Sequence, residues 1–235
     1  MPKQFSEVEQ FATFPVFLLV DVSPSMSREL PTLNTALREI RTVLKEEPDV
    51  CEKARLAVIT FAQRATRVLP LSDIQYMEMP EVKIEGQQTN FAEAFRIVRL
   101  EIESAIRELG PKAPFHTPVL YFWTDGEHNV PQDPWAGPLR ELTSASNKYR
   151  PEIVAFGFRD ADPDDLQRIA TTHAFLARSG RPPAEQLKEI IAAVIGSIKF
   201  TSGSLRAADA GQAPAGGLGV PIDSTKFIAL PVRSN

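Results

Sequence analysis

Five side chains that carry oxygen atoms stand beside predicted strand or helix ends: Asp21, Ser23, Ser25, Thr89 and Asp125. The first three belong to one short segment, DVSPS, the fourth to the loop GQQTN, and the last to the tripeptide TDG. Carboxylate and hydroxyl oxygens are hard ligands, which suit Mg²⁺ or Mn²⁺ better than zinc or copper. We therefore predict that these five residues form a binding site for a divalent metal ion.

The charge of this set indicates what such a metal ion would do. Two carboxylates offset the two positive charges of the ion, whereas hydroxyl groups are weak donors. If the carboxylates act mainly through water, the ion keeps part of its positive charge and one open coordination position. Such an ion attracts an external carboxylate. We therefore predict a site that binds an Asp or Glu of a protein partner rather than one that catalyses a reaction.

The site residues need strands that bring them together, and the apolar pattern of the sequence supplies them. Short continuous apolar runs, too short for buried helices, predict central parallel strands. Two of these runs follow each other so closely that they should form a hairpin, with one antiparallel strand at the sheet edge. The predicted strands are Pro15–Val20, Leu56–Phe61, Thr66–Leu71, Val119–Trp123, Ile153–Phe158 and His173–Ala177.

Between the predicted strands, apolar residues recur at spacings of three and four, which is the pattern of a helix with one buried face. The alternation predicts an α/β fold with a doubly wound, mostly parallel central sheet of about six strands, one antiparallel edge strand, and helices on both faces. In an open sheet of this kind, ligands bind at the carboxyl ends of the strands, where the strand order reverses. Asp21 and Asp125 end two predicted strands and Thr89 precedes a long helix, so all three can converge there.

The segments DVSPS, the Thr89 loop and TDG together resemble the metal-ion-dependent adhesion site of von Willebrand factor A domains. The resemblance covers about residues 12–200 and implies a Rossmann-like fold that binds a protein partner through a metal. It also implies the roles of the five residues. Ser23, Ser25 and Thr89 would contact the metal, and Asp21 and Asp125 would support it through water and hydrogen bonds.

Within that family, the chain is most similar to the bacterial TerY-like branch associated with tellurium resistance and stress systems. The similarity runs through PVFLLVDVSPSM, LAVITFAQRATRVLPL, the Thr89 loop and YFWTDG. This resemblance implies a cytoplasmic assembly whose other members include a kinase or a phosphatase.

One residue departs from the family pattern, because Pro24 stands where relatives often have glycine between the two serines. Proline fixes φ near −65° and lacks an N–H group. A loop that needs a positive φ at this point would be damaged by it. We expect the other alternative, in which Pro24 stiffens the loop and orders Ser23 and Ser25 in advance.

The length of 235 residues suits one α/β domain with appendages. We assign residues 1–200 to the von Willebrand factor A domain. Residues 201–221 are rich in Gly, Ala and Ser and are predicted to be a flexible segment. Residues 222–235 form a C-terminal tail whose composition is compatible with a strand.

Composition and charge exclude several classes of partner. The net charge of −4 argues against nucleic-acid binding, which needs a basic surface. No uninterrupted apolar stretch approaches the ~18 residues of a membrane span, and no signal peptide opens the chain. We therefore expect a cytoplasmic protein without membrane contact. The single cysteine, Cys51, is expected to be a structural residue near a helix end.

Two other functions stay open from the sequence. A Mg²⁺-dependent phosphohydrolase could use the same carboxylates, with Asp21 as nucleophile. Ser23 stands where such an enzyme needs a second Asp, and no Gly-rich phosphate loop is present, so we predict a protein that is not an enzyme. A metal-free scaffold could instead bind a partner through the flexible segment and the tail.

Two residues in the stretch that follows TDG need separate interpretation. We expect His128 to be a solvent-exposed loop residue rather than a metal ligand or a catalytic group. Trp135 is the one aromatic residue predicted to lie exposed near the site, where it would serve as an anchor for a partner.

Overall fold

The structure is a computed structural model that describes residues 12–211 and 218–233. Strands and helices alternate along most of the chain, as the apolar pattern predicts. The strands are β1 Phe14–Asp21, β2 Ala54–Phe61, β3 Ala65–Asp73, β4 Val119–Thr124, β5 Glu152–Gly157, β6 His173–Ala177 and β7 Phe227–Leu230. The helices are α1 Leu30–Leu44, α2 Pro48–Lys53, α3 Phe91–Glu108, α4 Ala136–Thr143, α5 Pro163–Ile169 and α6 Pro183–Asp209, and a short 3-10 helix covers Pro24–Arg28.

The described strands form one sheet in the order β3-β2-β1-β4-β5-β6-β7. The five central strands are parallel, and β3 pairs with β2 in the antiparallel direction, as predicted. The α/β fold class with a doubly wound, mostly parallel sheet is therefore confirmed. The sheet has seven strands rather than about six, because β7 adds a second antiparallel edge beside β6.

Helices cover both faces of the sheet, and alternate residues of β1 point to opposite sides. Val16, Leu18 and Val20 belong to a core that also contains apolar residues of α1 and α6. Phe17 and Leu19 belong to a second core, formed with α3, α4 and α5. All eight residues of β1 are buried, which explains why this strand is apolar without alternation. Its carboxyl end is therefore held rigidly.

The strand order reverses at β1. Within the sheet, β2 pairs with one edge of β1, whereas β4 pairs with the other edge. In the parallel pairing of β1 with β4, Val20 is opposite Trp123, so Asp21 and Thr124 end their strands side by side. Ligands bind at such a reversal point in open α/β sheets. The fold thus places Asp21 and the TDG segment at one point, as expected.

The C-terminal region differs in part from the prediction. Helix α6 continues to Asp209, so the first part of the predicted flexible segment, 201–221, is helical, while residues 212–217 lie outside the described residues. Thr201, Ser202 and Leu205 are buried, and the buried ammonium group of Lys53 donates to Asp209 at 2.6 Å. These contacts outweigh the low helix propensity of the glycine and serine residues there.

Residues Phe227–Leu230 of the tail form a strand, β7, which is part of the sheet through its pairing with β6. Its Phe227 is buried and packs its ring against Phe156 and Phe175. Helix α6, which precedes it, is long and apolar enough to cross a membrane by composition alone. Most of its large apolar residues, however, belong to the core beneath the sheet, and Phe200 is the exposed exception.

Candidate metal centre

Asp21 occupies the last position of β1 and is buried. Its Oδ1 accepts a hydrogen bond from the backbone N–H of Ser23 at 2.8 Å, and its Oδ2 accepts one from the Thr124 hydroxyl at 2.7 Å. Burial raises the pKa of Asp21 to about 7, and the nearby charge of Asp125 adds to that rise. A carboxylate that is this costly to ionise would be stabilised by a cation beside it.

Asp125 follows β4 directly and is connected to the DVSPS segment through Ser25. The Ser25 hydroxyl donates to Asp125 Oδ1 at 2.6 Å, and the hydroxyl oxygens of Ser23 and Ser25 lie 3.0 Å apart. Burial also raises the pKa of Asp125 above its ordinary value. Asp21, Ser23, Ser25 and Asp125 therefore form one connected cluster, although Ser25 is separated from Asp125 by 100 positions.

Pro24 leaves the serine loop intact. Ser23 is in an extended conformation, with φ −64° and ψ 166°, and stands at the N-cap position of the 3-10 helix in which Pro24 is the first residue. A missing N–H is tolerated at the first position of a helix, because that donor has no partner within the helix. Pro24 does not have a positive φ. The structure thus agrees with the alternative in which proline stiffens the loop.

Thr89 is buried two residues before α3. Its backbone N–H donates to Asn129 Oδ1 at 2.8 Å, and the N–H of Asn129 donates to the Thr89 carbonyl at 3.1 Å. This double hydrogen bond holds the Thr89 loop against the loop that follows Asp125. The next residue, Asn90, caps α3 and bonds to the carbonyl of Ala62, just past the end of β2.

The structure therefore brings the loop of Thr89 beside the cluster of the other four predicted residues. Within residues 12–211 and 218–233, no hydrogen bond joins the Thr89 hydroxyl to those four side chains. Asn129 is the residue that links the two parts. Sequence reasoning did not identify it, although it stands only four positions after Asp125.

A second residue that sequence reasoning missed is Arg159, which follows β5. Its Nη1 donates to the carbonyl oxygen of Ser25 at 2.8 Å, to Asp125 Oδ2 at 3.0 Å and to Glu29 Oε2 at 3.1 Å. The guanidinium group acts against the rise that burial causes in the pKa of Asp125. No spacing in the sequence indicates this contact, because it depends on how the loop after β5 folds back.

Two interpretations of the neighbouring loop need correction. Trp135 is buried, not exposed, because its indole packs against Phe91 and Phe95 and under the guanidinium group of Arg168. His128 is half-buried rather than solvent-exposed. Its Nδ1 accepts from the Phe91 N–H at 3.1 Å, and its Nε2 lies 2.7 Å from the carbonyl of Val130. Both residues fasten this loop to α3.

The donor atoms of the cluster determine which kind of metal ion it can hold. The buried carboxylates of Asp21 and Asp125 stand beside the hydroxyl groups of Ser23 and Ser25, so every donor atom of this cluster is oxygen. The described part of the chain has no group of three or more His, Cys, Asp or Glu side chains that could enclose a metal. The set therefore fits a hard divalent cation held partly by water, and does not fit a closed zinc or copper site.

The fold is shared with solved structures of low sequence identity. Proximal thread matrix protein 1 from the mussel byssus, solved with a zinc-occupied MIDAS motif, is 16% identical with a TM-score of 0.56, over 80% of this chain and 48% of that one. A von Willebrand factor type A protein from Catenulispora acidiphila is 18% identical with a TM-score of 0.56, over 79% and 43%. The pilus adhesin SpaC from Lactobacillus rhamnosus GG, in its open conformation, is 10% identical with a TM-score of 0.61, over 81% and 30%.

The chain spans less than half the length of each of these three proteins, and at such identities the likeness shows the fold alone. No curated protein matches the chain in sequence. The family model of the von Willebrand factor type A domain matches residues 16–193, from β1 into α6, which is well over half of the chain. The chain therefore belongs to the von Willebrand factor type A domain family.

Proposed function

We propose that this chain is a metal-dependent protein-interaction module, in which a divalent cation binds an acidic side chain of a partner. The observation that carries the proposal is the cluster at the ends of β1 and β4. There two buried carboxylates, Asp21 and Asp125, meet the hydroxyl groups of Ser23 and Ser25. Buried carboxylates without a full countercharge are costly, and a cation offsets that cost.

Ser23, Ser25 and Thr89 would hold the cation directly, with Asp21 and Asp125 behind them. When bound, the cation supplies a Lewis-acidic position that takes up a carboxylate oxygen from outside. Ser25 is exposed, so the cluster is reachable from solvent on that side. The mussel protein with a zinc-occupied MIDAS motif supports a divalent ion in this fold. The all-oxygen set favours Mg²⁺ or Mn²⁺ for this chain.

Calorimetric titration with Mg²⁺, Mn²⁺ and Zn²⁺ tests the metal site. We expect the full chain to bind Mg²⁺ or Mn²⁺, and Ser25→Ala to weaken binding by about tenfold or more. Ser27→Ala is the matched control, because Ser27 lies in the same 3-10 helix and its hydroxyl donates to the Pro24 carbonyl instead. Equal binding by Ser25→Ala and Ser27→Ala would refute the assignment of the site.

The acidic partner can be tested with a simple probe. Bound Mn²⁺ enhances the relaxation of water protons as long as water occupies its open position. Titrating a short peptide that contains one glutamate should reduce this enhancement, whereas the same peptide with glutamine should leave it unchanged. A similar reduction by both peptides, or by neither, would contradict a site that selects a carboxylate.

We also propose that the protein is not an enzyme. Ser23, which stands where an aspartate-nucleophile phosphohydrolase needs its second Asp, bonds to Ser25 through its hydroxyl. Metal-dependent hydrolysis of phosphoesters that Asp21→Asn abolishes would overturn this proposal. The alternative of a metal-free scaffold that binds a partner through its tail is disfavoured, because strand β7 of the tail is already paired with β6.

The strand and loop segments resemble those of the TerY-like branch, and this resemblance supports a finer proposal. The protein would act in tellurium resistance or stress. It would do so in the cytoplasm, with a kinase or a phosphatase as its partner. Growth of the host on tellurite with and without the gene tests the role. Cell fractionation tests the location. Unchanged growth, or recovery of the protein outside the cytoplasm, would contradict the corresponding part of the proposal.

A further inference from the structure

Arg159 is held in an unusual backbone conformation beside the candidate metal centre. Its φ is +56°, and it is the only residue other than glycine with a positive φ in the described ranges 12–211 and 218–233. Left-handed backbone at an arginine is strained, and it persists only where the surroundings enforce it. Here the N–H of Asp160 donates to the carbonyl of Asp125 at 3.1 Å, and the N–H of Arg159 donates to Gln186 at 3.4 Å.

This conformation directs the guanidinium group into the cluster. One nitrogen, Nη1, donates to two carboxylates, Asp125 and Glu29, and to the Ser25 carbonyl. Glu29 is itself buried, with 5% of its surface exposed, so its charge needs this partner. Asp125 Oδ1 accepts from Ser25, and Asp125 Oδ2 accepts from Arg159, so both oxygens of that carboxylate are engaged.

We propose that Arg159 is a resident cation that competes with the divalent metal for the carboxylates of this site and thereby sets its metal affinity. The inference rests on the proposed function, because it concerns the metal at the same site. The guanidinium group offsets one of the two negative charges of Asp125 and Glu29, so it helps the domain to hold this cluster together before a metal arrives. A metal that enters must share Asp125 with a positive charge already bonded to that carboxylate.

The sign of the effect follows from the charges. Asp21, Glu29 and Asp125 contribute three negative charges when ionised, and Arg159 offsets one of them. Replacing Arg159 by glutamine leaves the full negative charge to attract the metal and removes the repulsion between two cations. One unit charge a few ångströms from a divalent ion, at an effective dielectric constant of about 20, changes the affinity by at least about tenfold.

The experiment compares the metal affinity of the full chain with that of Arg159→Gln, by calorimetry with Mn²⁺ and Mg²⁺. Arg159→Gln should bind at least about tenfold more tightly. Arg107→Gln is the matched control for net charge. Arg107 lies near the end of α3, an 18-residue helix of about 27 Å whose opposite end follows Thr89. This control should bind the metal like the wild type.

Arg159→Gln leaves Glu29 buried without the guanidinium group, and this can impair folding. A second comparison avoids the problem, because Glu29→Gln and the double variant Glu29→Gln/Arg159→Gln contain no buried charge at position 29. The double variant should again bind more tightly than Glu29→Gln, by a similar factor. A loss of packing alone would weaken binding or leave it unchanged, so the direction of the effect separates the two roles.

The outcomes are distinguishable. If the wild type binds a metal and the double variant binds it no more tightly than Glu29→Gln, the inference is overturned and the proposed metal site stands. Tighter binding by the double variant supports the inference, and Arg159→Gln counts in the same way when it folds. If neither the wild type nor the variants without Arg159 bind a divalent ion, the proposed metal site fails and the inference falls with it.

Discussion

The substitution Asp21→Asn tests the energetic cost of the buried carboxylate. In the metal-free protein, burial raises the pKa of Asp21 from 3.8 to about 7. Because the pKa is higher in the folded state than in the unfolded state, the folded protein binds the proton more tightly. The free energy of unfolding therefore falls as the pH rises from about 4 to about 7, and the loss is complete above that range. The difference in pKa corresponds to about 4 kcal/mol.

Asparagine removes this titration while keeping the shape of the side chain. Its amide oxygen can still accept from the Ser23 N–H. Its amide nitrogen can donate to the Thr124 hydroxyl, which can turn its own proton to the Gly126 carbonyl at 3.1 Å. The hydrogen bonds can thus be preserved, and Asp21→Asn should be more stable than the wild type at pH 8 by up to about 4 kcal/mol. At pH 5 the gain should be much smaller.

Urea denaturation of both proteins at pH 5 and pH 8, with a chelator present, measures this difference. The same series at pH 8 with excess Mg²⁺ should narrow or reverse it, because a bound metal stabilises the wild type and the variant has lost one of its carboxylates. Asp125 is present in both proteins, so to a first approximation its contribution cancels in the difference between their free energies of unfolding. A wild type that is more stable than Asp21→Asn at pH 8 in chelator, or a difference independent of pH, would refute the reasoning.

Three further substitutions test other parts of the structure. Asn129→Ala removes the side-chain acceptor that holds the Thr89 N–H, so metal affinity should fall by about tenfold in calorimetry with little change in the unfolding midpoint. Pro24→Gly should lower the free energy of unfolding by about 0.5–1 kcal/mol, because glycine gives the unfolded chain more conformational entropy. The metal affinity should stay within a few-fold, and a large loss would show that proline orders the site. Phe227→Ala should cost about 3 kcal/mol in urea denaturation, whereas the exposed Ile228→Ala should cost under about 0.5 kcal/mol; equal effects would mean that β7 is not part of the core.

The predictable part of this fold comes from local patterns with one physical meaning. The apolar run PVFLLV has no alternation, which indicates a strand covered on both faces, and β1 is such a strand. Once β1 and β4 are recognised as parallel strands, the reversal of strand order places Asp21 and Asp125 together without further information. The connected cluster of Asp21, Ser23, Ser25 and Asp125 could therefore be anticipated from the sequence.

The parts that escaped prediction depend on contacts between distant segments. Arg159 bonds to a carbonyl 134 positions away, through a backbone conformation that arginine rarely adopts. The extension of α6 to Asp209 was missed for a related reason. Its Gly and Ser residues have low helix propensity, and only the packing of Ser202 and Leu205 and the bond from Lys53 reveal the helix. Trp135 was placed wrongly because its loop turns inward to α3.

Burial makes the ionised carboxylates of Asp21 and Asp125 costly, and it also requires a positive charge close to them. Asp21 and Asp125 lie at the ends of rigid buried strands, so they cannot move to solvent when ionised, and their charge must be offset where they stand. Arg159 offers one positive charge from within the chain, and a divalent ion would offer two from solution. Because both act on Asp125, metal affinity, stability and pH are linked at this position. A change of pH should therefore alter both the metal affinity and the free energy of unfolding, and added metal should alter how that free energy depends on pH.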